Sequence, residues 1–184
     1  MISGIGVILL AAPGWAQTCP AAPDHRAALG ALTDQIQRSD TEMEARGLSN
    51  RMWELWTQAP DEAAQALLDR GMRARSTYDF LGALEAFDRL VRYCPDYAEG
   101  YNQRAFVHYL SQNFDAALTD LELTLERSPR HTGALSGKAL SLYALGRIEE
   151  ARDVLAQALA LNPWLPERSL AAPGGPLAPL GDDI

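Results

Sequence analysis

Bulky and small apolar residues follow one pattern three times along residues 64–165. Pro95, Pro129 and Pro163 lie 34 residues apart and divide this stretch into units 64–97, 98–131 and 132–165. Position 4 of each unit is large (Leu67, Tyr101, Leu135), position 8 is small (Gly71, Ala105, Ala139) and position 20 is alanine (Ala83, Ala117, Ala151). Small residues suit places where two helices cross closely, large ones fill the holes between them, and proline ends the second helix. The pattern predicts two helices per unit, at 64–77 and 80–93, 98–111 and 114–127, and 132–145 and 148–161. The turns Tyr78-Asp79-Phe80, Gln112-Asn113-Phe114 and Gly146-Arg147-Ile148 are short enough to make each pair antiparallel.

A fixed period of this length is the sequence sign of stacked helical repeats. On these residues the chain resembles the tetratricopeptide repeat family, over a little more than half its length. The resemblance implies an all-α fold, a right-handed superhelical solenoid of antiparallel helix hairpins. Arg70, Arg104 and Lys138 depart from the family pattern, standing where leucine is usual, and His108 stands where an aromatic residue is common.

The resemblance also implies a concave groove lined by positions 2, 5, 9 and 12 of the first helices. These are Gln65, Leu68, Met72 and Arg75, then Glu99, Asn102, Phe106 and Tyr109, then Gly133, Ser136, Leu140 and Tyr143. The stripe of Met72, Phe106 and Leu140, with Tyr109 and Tyr143, suits an extended peptide or an amphipathic helix anchored by a few side chains. Helical spacing alone would also place such a stripe in the core between helix layers. Some members hold a terminal carboxylate with lysine and asparagine; the basic positions of that clamp are Leu68, Met72 and Gly133 here, so the clamp is not expected.

The flanks differ from the repeats. Residues 24–63 are helical in pattern, with Leu29, Leu32 and Ile36 on one stripe and Leu48, Met52, Leu55 and Trp56 on another. They lack the small crossing residues and are read as a degenerate hairpin capping the open face of the first repeat. At the other end, Arg152 replaces Leu84 and Leu118 of the earlier units, a sign that no further repeat follows. Residues 166–184 are rich in proline and glycine and are expected to form a disordered tail, with Trp164 and Leu165 folding back on the last helix. A second reading leaves Leu155, Leu159 and Leu161 bare as an edge for self-association.

Charge and the N-terminus set the compartment. The 184 residues carry a formal charge of −8, which argues against nucleic acid and anionic membrane surfaces as partners. Ile5 to Ala12 is an apolar run too short for stable membrane insertion, followed by Gly14 and Ala16 in the spacing signal peptidase uses. The expectation is a signal peptide over 1–16 cleaved after Ala16, a leader over 17–23, and a periplasmic or secreted protein, although no basic residue precedes the run. Cys19 and Cys94 would then meet an oxidising compartment, where an even count favours pairing; two free thiols are the alternative.

Chemistry is expected to be absent. The histidines His25, His108 and His131 are scattered without metal spacing, and Ser136-Gly137-Lys138 lies inside a repeat helix rather than in a phosphate loop. No cofactor, no metal and no catalytic group is expected. The residues point to a protein-interaction scaffold for a protein or peptide partner in the cell envelope. The alternative is a structural subunit that assembles through its last helix or convex face.

Overall fold

The computed structural model describes residues 18–179; the expected signal peptide over 1–16 and the end of the tail, 180–184, lie outside the described residues. Among the described residues the structure is all-α. Its helices are α1 (Arg26–Gln37), α2 (Glu42–Trp56), α3 (Glu62–Ser76), α4 (Phe80–Tyr93), α5 (Ala98–Leu110), α6 (Phe114–Arg127), α7 (Thr132–Ala144) and α8 (Ile148–Leu161), followed by a 3-10 turn, Pro166–Leu170. Helices α3 to α8 form three stacked antiparallel hairpins. Helix α3 starts two residues before the pattern suggested, because Asp61 caps it by accepting from Ala64 N at 2.8 Å.

The same turn ends the first helix of every unit. Tyr78, Gln112 and Gly146, all at position 15, are left-handed (φ 62°, 58° and 73°). In each turn the next amide reaches back to the last helical turn: Asp79 N to Ala74 O, Asn113 N to His108 O and Arg147 N to Leu142 O, each 2.9 Å. Such a closure satisfies carbonyls that the helix end leaves free. Only the third unit uses glycine, so the first two hold an L-residue in a costly conformation.

Packing inside the units is matched by volume. A Cβ on Gly71 would lie 2.4 Å from the Phe87 ring, so glycine is required there. The equivalent pairs are Ala105 with Leu121 and Ala139 with Leu155, each pair in one core cluster. A smaller residue at position 8 thus accompanies a larger one at position 24. The departures at position 7 also acquire a reason. Arg104 pairs with Asp88 of the preceding unit at 2.8 Å, and Lys138 with Glu122 of its preceding unit at 3.2 Å. Both acids stand at position 25, so the charged residues form rungs between successive hairpins.

Two flanking expectations are corrected. The α1–α2 hairpin does not seat its far end on the first repeat. It arches to the third: Gln37 Nε2 donates to Ala160 O at 2.7 Å, Asn162 Nδ2 to Ser49 Oγ at 3.2 Å, and Arg168 pairs with Glu42 at 2.8 Å. Trp164 packs into this hairpin's core rather than folding onto the last helix. The hairpin packs on itself around Ala45, Leu48 and Met52, and the large indole supplies apolar contact to the stack.

The tail, expected to be disordered, is packed as far as it is described. Leu177 is fully buried and joins Leu118, Leu142 and Leu155 in one cluster, with Leu170 and Ala171 beside it. Arg152 Nε donates to Ala178 O at 2.9 Å. Proline forbids a long helix but not burial, so an irregular segment covers the end of the stack. Leu155, one of the three leucines of the edge considered for self-association, is 1% exposed, and Leu159 packs partly against the same cluster. The structure also joins Cys19 to Cys94, Cα atoms 5.2 Å apart, tying the leader to the end of α4.

Candidate functional site

Helices α5 and α7 present their concave faces to a cavity of about 360 Å³. Seven of the groove positions line it: Arg75, Asn102, Phe106, Tyr109, Gly133, Ser136 and Leu140. The period places them there, since positions 2, 5, 9 and 12 share one helix face. Phe106 is 46% exposed, a large apolar side chain left facing the cleft. The Arg75 guanidinium lies 4.7 Å from the centre of its ring. Burial pulls the Arg75 pKa below the ordinary arginine value, and no carboxylate lies within ion-pair distance of it among the described residues. It donates instead to Gln103 Oε1.

Other groove positions are placed elsewhere. Leu68 is fully buried in the core of the first repeat, with Met72 packed against that core. Gln65 accepts from Ala59 N at 3.0 Å and so braces the link between α2 and α3. Tyr143 is exposed but does not line the cavity, and Glu99 is buried below it. The reason is the packing of the first unit itself: Leu68 shares a cluster with Phe87 and Leu90 of α4 and Val107 of α5, and Cys19 and Ala22 of the leader pack against it.

The roof and floor contain residues that the repeat phase did not reveal. Trp53 and Trp56 of α2 and Leu165, Pro166 and Glu167 of the C-terminal segment complete the cavity wall. Trp56 stacks on His131, centroids 3.9 Å apart. His131 in turn caps α7, its Nδ1 accepting from Ala134 N at 3.1 Å. That role leaves Nδ1 without a proton, so Nε2–H donates to Glu99 Oε2 at 2.9 Å. Gln103 Nε2 donates to the other Glu99 oxygen. The chain Arg75–Gln103–Glu99–His131 thus runs beneath the cleft, with Glu99 and His131 almost wholly buried. A buried network of this kind fixes side-chain positions when every member is satisfied. In the sequence, the 32-residue separation of Glu99 and His131 gives no local sign of their pairing, since it arises only when α5 and α7 stack.

Outside the cleft, His108 lies between α5 and α6, its Nε2 3.9 Å from Asp120 Oδ2. Burial lowers its pKa, the Asp120 charge partly opposing this. It is a packing residue. Arg104 is bidentate to Asp120 at 2.8 and 2.6 Å, and these bonds hold its pKa above the ordinary value. Among the described residues no group of histidine, cysteine and carboxylate side chains has the arrangement of a metal site, and no helix is long and apolar enough to cross a membrane.

Comparison with known proteins agrees with the fold. The tetratricopeptide repeat family profile matches residues 108–164. A TPR repeat-containing protein of Rhizobium etli is 30% identical over 118 residues, which cover 64% of this chain and 58% of the relative. The match thus spans less than two thirds of that relative. Among solved structures, the TPR2B domain of yeast Sti1 in its pHsp70 complex superposes with a TM-score of 0.54 at 23% identity, covering 55% of this chain and 81% of that one. The first TPR of Spaghetti (RPAP3), bound to the HSP90 peptide SRMEEVD, gives 0.55 at 22% identity with the same coverage. The Arabidopsis OM64 TPR domain gives 0.59 at 19% identity, covering 61% of this chain and 93% of that one. Repeat phase, turn geometry, the profile match over residues 108–164 and the fold agree that the three hairpins are tetratricopeptide-type repeats.

Proposed function

We propose that the protein is a non-catalytic interaction scaffold whose concave face holds a short segment of a partner protein in the cell envelope. The observation that carries this reading is the convergence of Phe106, Tyr109 and Leu140 with Arg75 and Asn102 in one cleft. An exposed aromatic anchor beside a desolvated cation and an amide is the make-up of a peptide site. Two proteins of similar fold hold Hsp70 or HSP90 segments, which supports peptide binding as the use of this face. The polar groups here differ from a lysine-based carboxylate clamp, since Leu68 is core and Gly133 carries no charge. The segment bound is therefore held by apolar side chains, with Arg75 and Asn102 orienting its backbone or an acidic residue.

The envelope assignment is supported by the Cys19–Cys94 bond, which persists in oxidising compartments. Expressed in a Gram-negative host, the full chain is expected in the periplasm with its N-terminus at Gln17. Mass spectrometry of that fraction would show it, and an uncleaved cytosolic chain would overturn it. The groove is tested by affinity capture with the wild-type chain and a Phe106→Ala/Tyr109→Ala variant of matched helicity. Loss of the retained partner by the variant supports the groove. Equal recovery refutes it and moves the site to the convex face.

A further inference from the structure

The cleft is closed on one side by the chain itself. Trp53 and Trp56 stand over it from α2, and Leu165 to Glu167 border it from the C-terminal segment. What remains is a partly open cavity of about 360 Å³.

Three features distinguish this roof from the repeats it covers. Its fit is incomplete: among the described residues, the buried side-chain polar atoms without a hydrogen-bond partner are His25 Nε2, Trp56 Nε1 and Glu167 Oε2. One precedes α1, one ends α2 and one lies in the 3-10 turn, while the six repeat helices contribute none. A buried unpaired group favours whatever state returns it to water. Next, the hairpin closes its own core. Leu32, Ile36, Ala45, Leu48 and Met52 form a cluster that, among the described residues, only the Trp164 side chain joins from outside the hairpin. Finally, its two sides are held differently. Near the first repeat both strands of chain are fixed, one by the Cys19–Cys94 bond and the other by Tyr97 Oη donating to Trp56 O at 2.7 Å. At the third repeat the attachments are the packing of α1 on α8, the Trp56 ring stacked on His131, Trp164, the exposed Arg168–Glu42 pair and two single hydrogen bonds from Gln37 and Asn162.

We propose that the α1–α2 hairpin is a lid on the peptide groove, hinged where the disulfide and Trp56 meet the first repeat and latched at Trp164 and Arg168. Opening carries Trp53 off the cleft, turns the Trp56 ring away from His131 while its carbonyl stays held by Tyr97, and exposes Phe106, Tyr109 and Leu140 along their full length. Because the hairpin keeps its own core, it swings as a unit and need not unfold. The inference rests on the groove reading, since it gives that site its regulation.

Two measurements test it separately from that reading. Ser136 lies on the cleft floor and is buried, and both native cysteines are bonded to each other. A Ser136→Cys chain is exposed to a polyethylene-glycol maleimide too bulky for the closed cleft, with and without the latch changes Trp164→Ala and Arg168→Ala. Labelling should accelerate about tenfold or more in the opened chain, as expected when local opening limits access. Labelling of an exposed Ser111→Cys control should stay constant. Equal rates at Ser136→Cys would overturn the lid. If the latch variant fails to fold, Glu42→Gln, which removes only the exposed pair, serves for the same comparison, with a smaller acceleration expected. In the second measurement, Ser49→Cys and Asn162→Cys are joined by a short bis-maleimide in the otherwise wild-type chain. The joined chain should lose the partner that its unjoined form retains. Retention by the joined chain overturns the lid even where Phe106→Ala/Tyr109→Ala still abolishes capture, so the groove can stand without the lid.

Discussion

The three repeats and the segments that close them solve the same packing problem in different ways. In the repeats the large residue at position 24 has a small one opposite, as with Phe87 and Gly71, and the position-7 cations of the later units each have an acid. In the closure one indole, Trp164, bridges the hairpin to the stack, and every unpaired buried polar atom among the described residues is found in these flanking segments. Regularity gives a stiff scaffold. Irregularity leaves a part that is free to move relative to it. The two regions should therefore respond differently to the same kind of perturbation.

The largest effect is expected in the repeat core. Phe87→Ala should cost about 3–5 kcal/mol in a denaturant melt, the range for truncating a buried phenylalanine. Gly71→Ala and Phe87→Leu should each destabilise the chain, and together they should recover much of the loss by recreating the alanine–leucine pairing of the later units; strict additivity would refute the volume match. Met52→Ala, an equally buried truncation in the hairpin, should instead raise hydrogen exchange in α1 and α2 while leaving α3 to α8 protected. Somewhat smaller is Arg104→Met, which strands the buried Asp120 and should cost about 3 kcal/mol.

How much was legible follows the same division. The period fixed the six repeat helices to within a residue or two, because small-large alternation directly encodes helix crossing. It also placed Phe106 and Leu140 at the cleft, and it misplaced Leu68, whose surroundings depend on how the first unit meets its neighbours. The hairpin's destination could not be read, because docking through one tryptophan leaves no periodic signal. The tail was misjudged for a related reason: proline and glycine report on helix formation, whereas the burial of Leu177 depends on an open cluster waiting at α8.

Finer contrasts lie in the turns and in pH. Gln112→Gly should stabilise the chain by up to about 1 kcal/mol, since glycine takes the left-handed conformation without steric cost, and Gly146→Ala should do the reverse. A glycine at 112 that destabilises would show that the Gln112 side chain matters more than its backbone. The smallest effect is expected at His108. Burial disfavours its charged form, so the unfolded chain binds this proton at higher pH than the folded one. Its contribution is complete above the ordinary histidine value and is lost as pH falls through that value toward the lower folded one. A His108→Gln chain should lack that segment of the acid stability profile, and an unchanged profile would remove His108 from the account.

The rungs between units give the stack a direction. Each has its base at position 7 of the later unit and its acid at position 25 of the earlier one. At the leading end Arg70 offers a base with no unit before it, and at the trailing end position 25 is Ala156, which offers no acid. If two copies met head to tail, Arg70 would face a methyl group, across a surface that Leu177 already covers. The charge pattern that aligns three hairpins therefore stops at both ends of the stack.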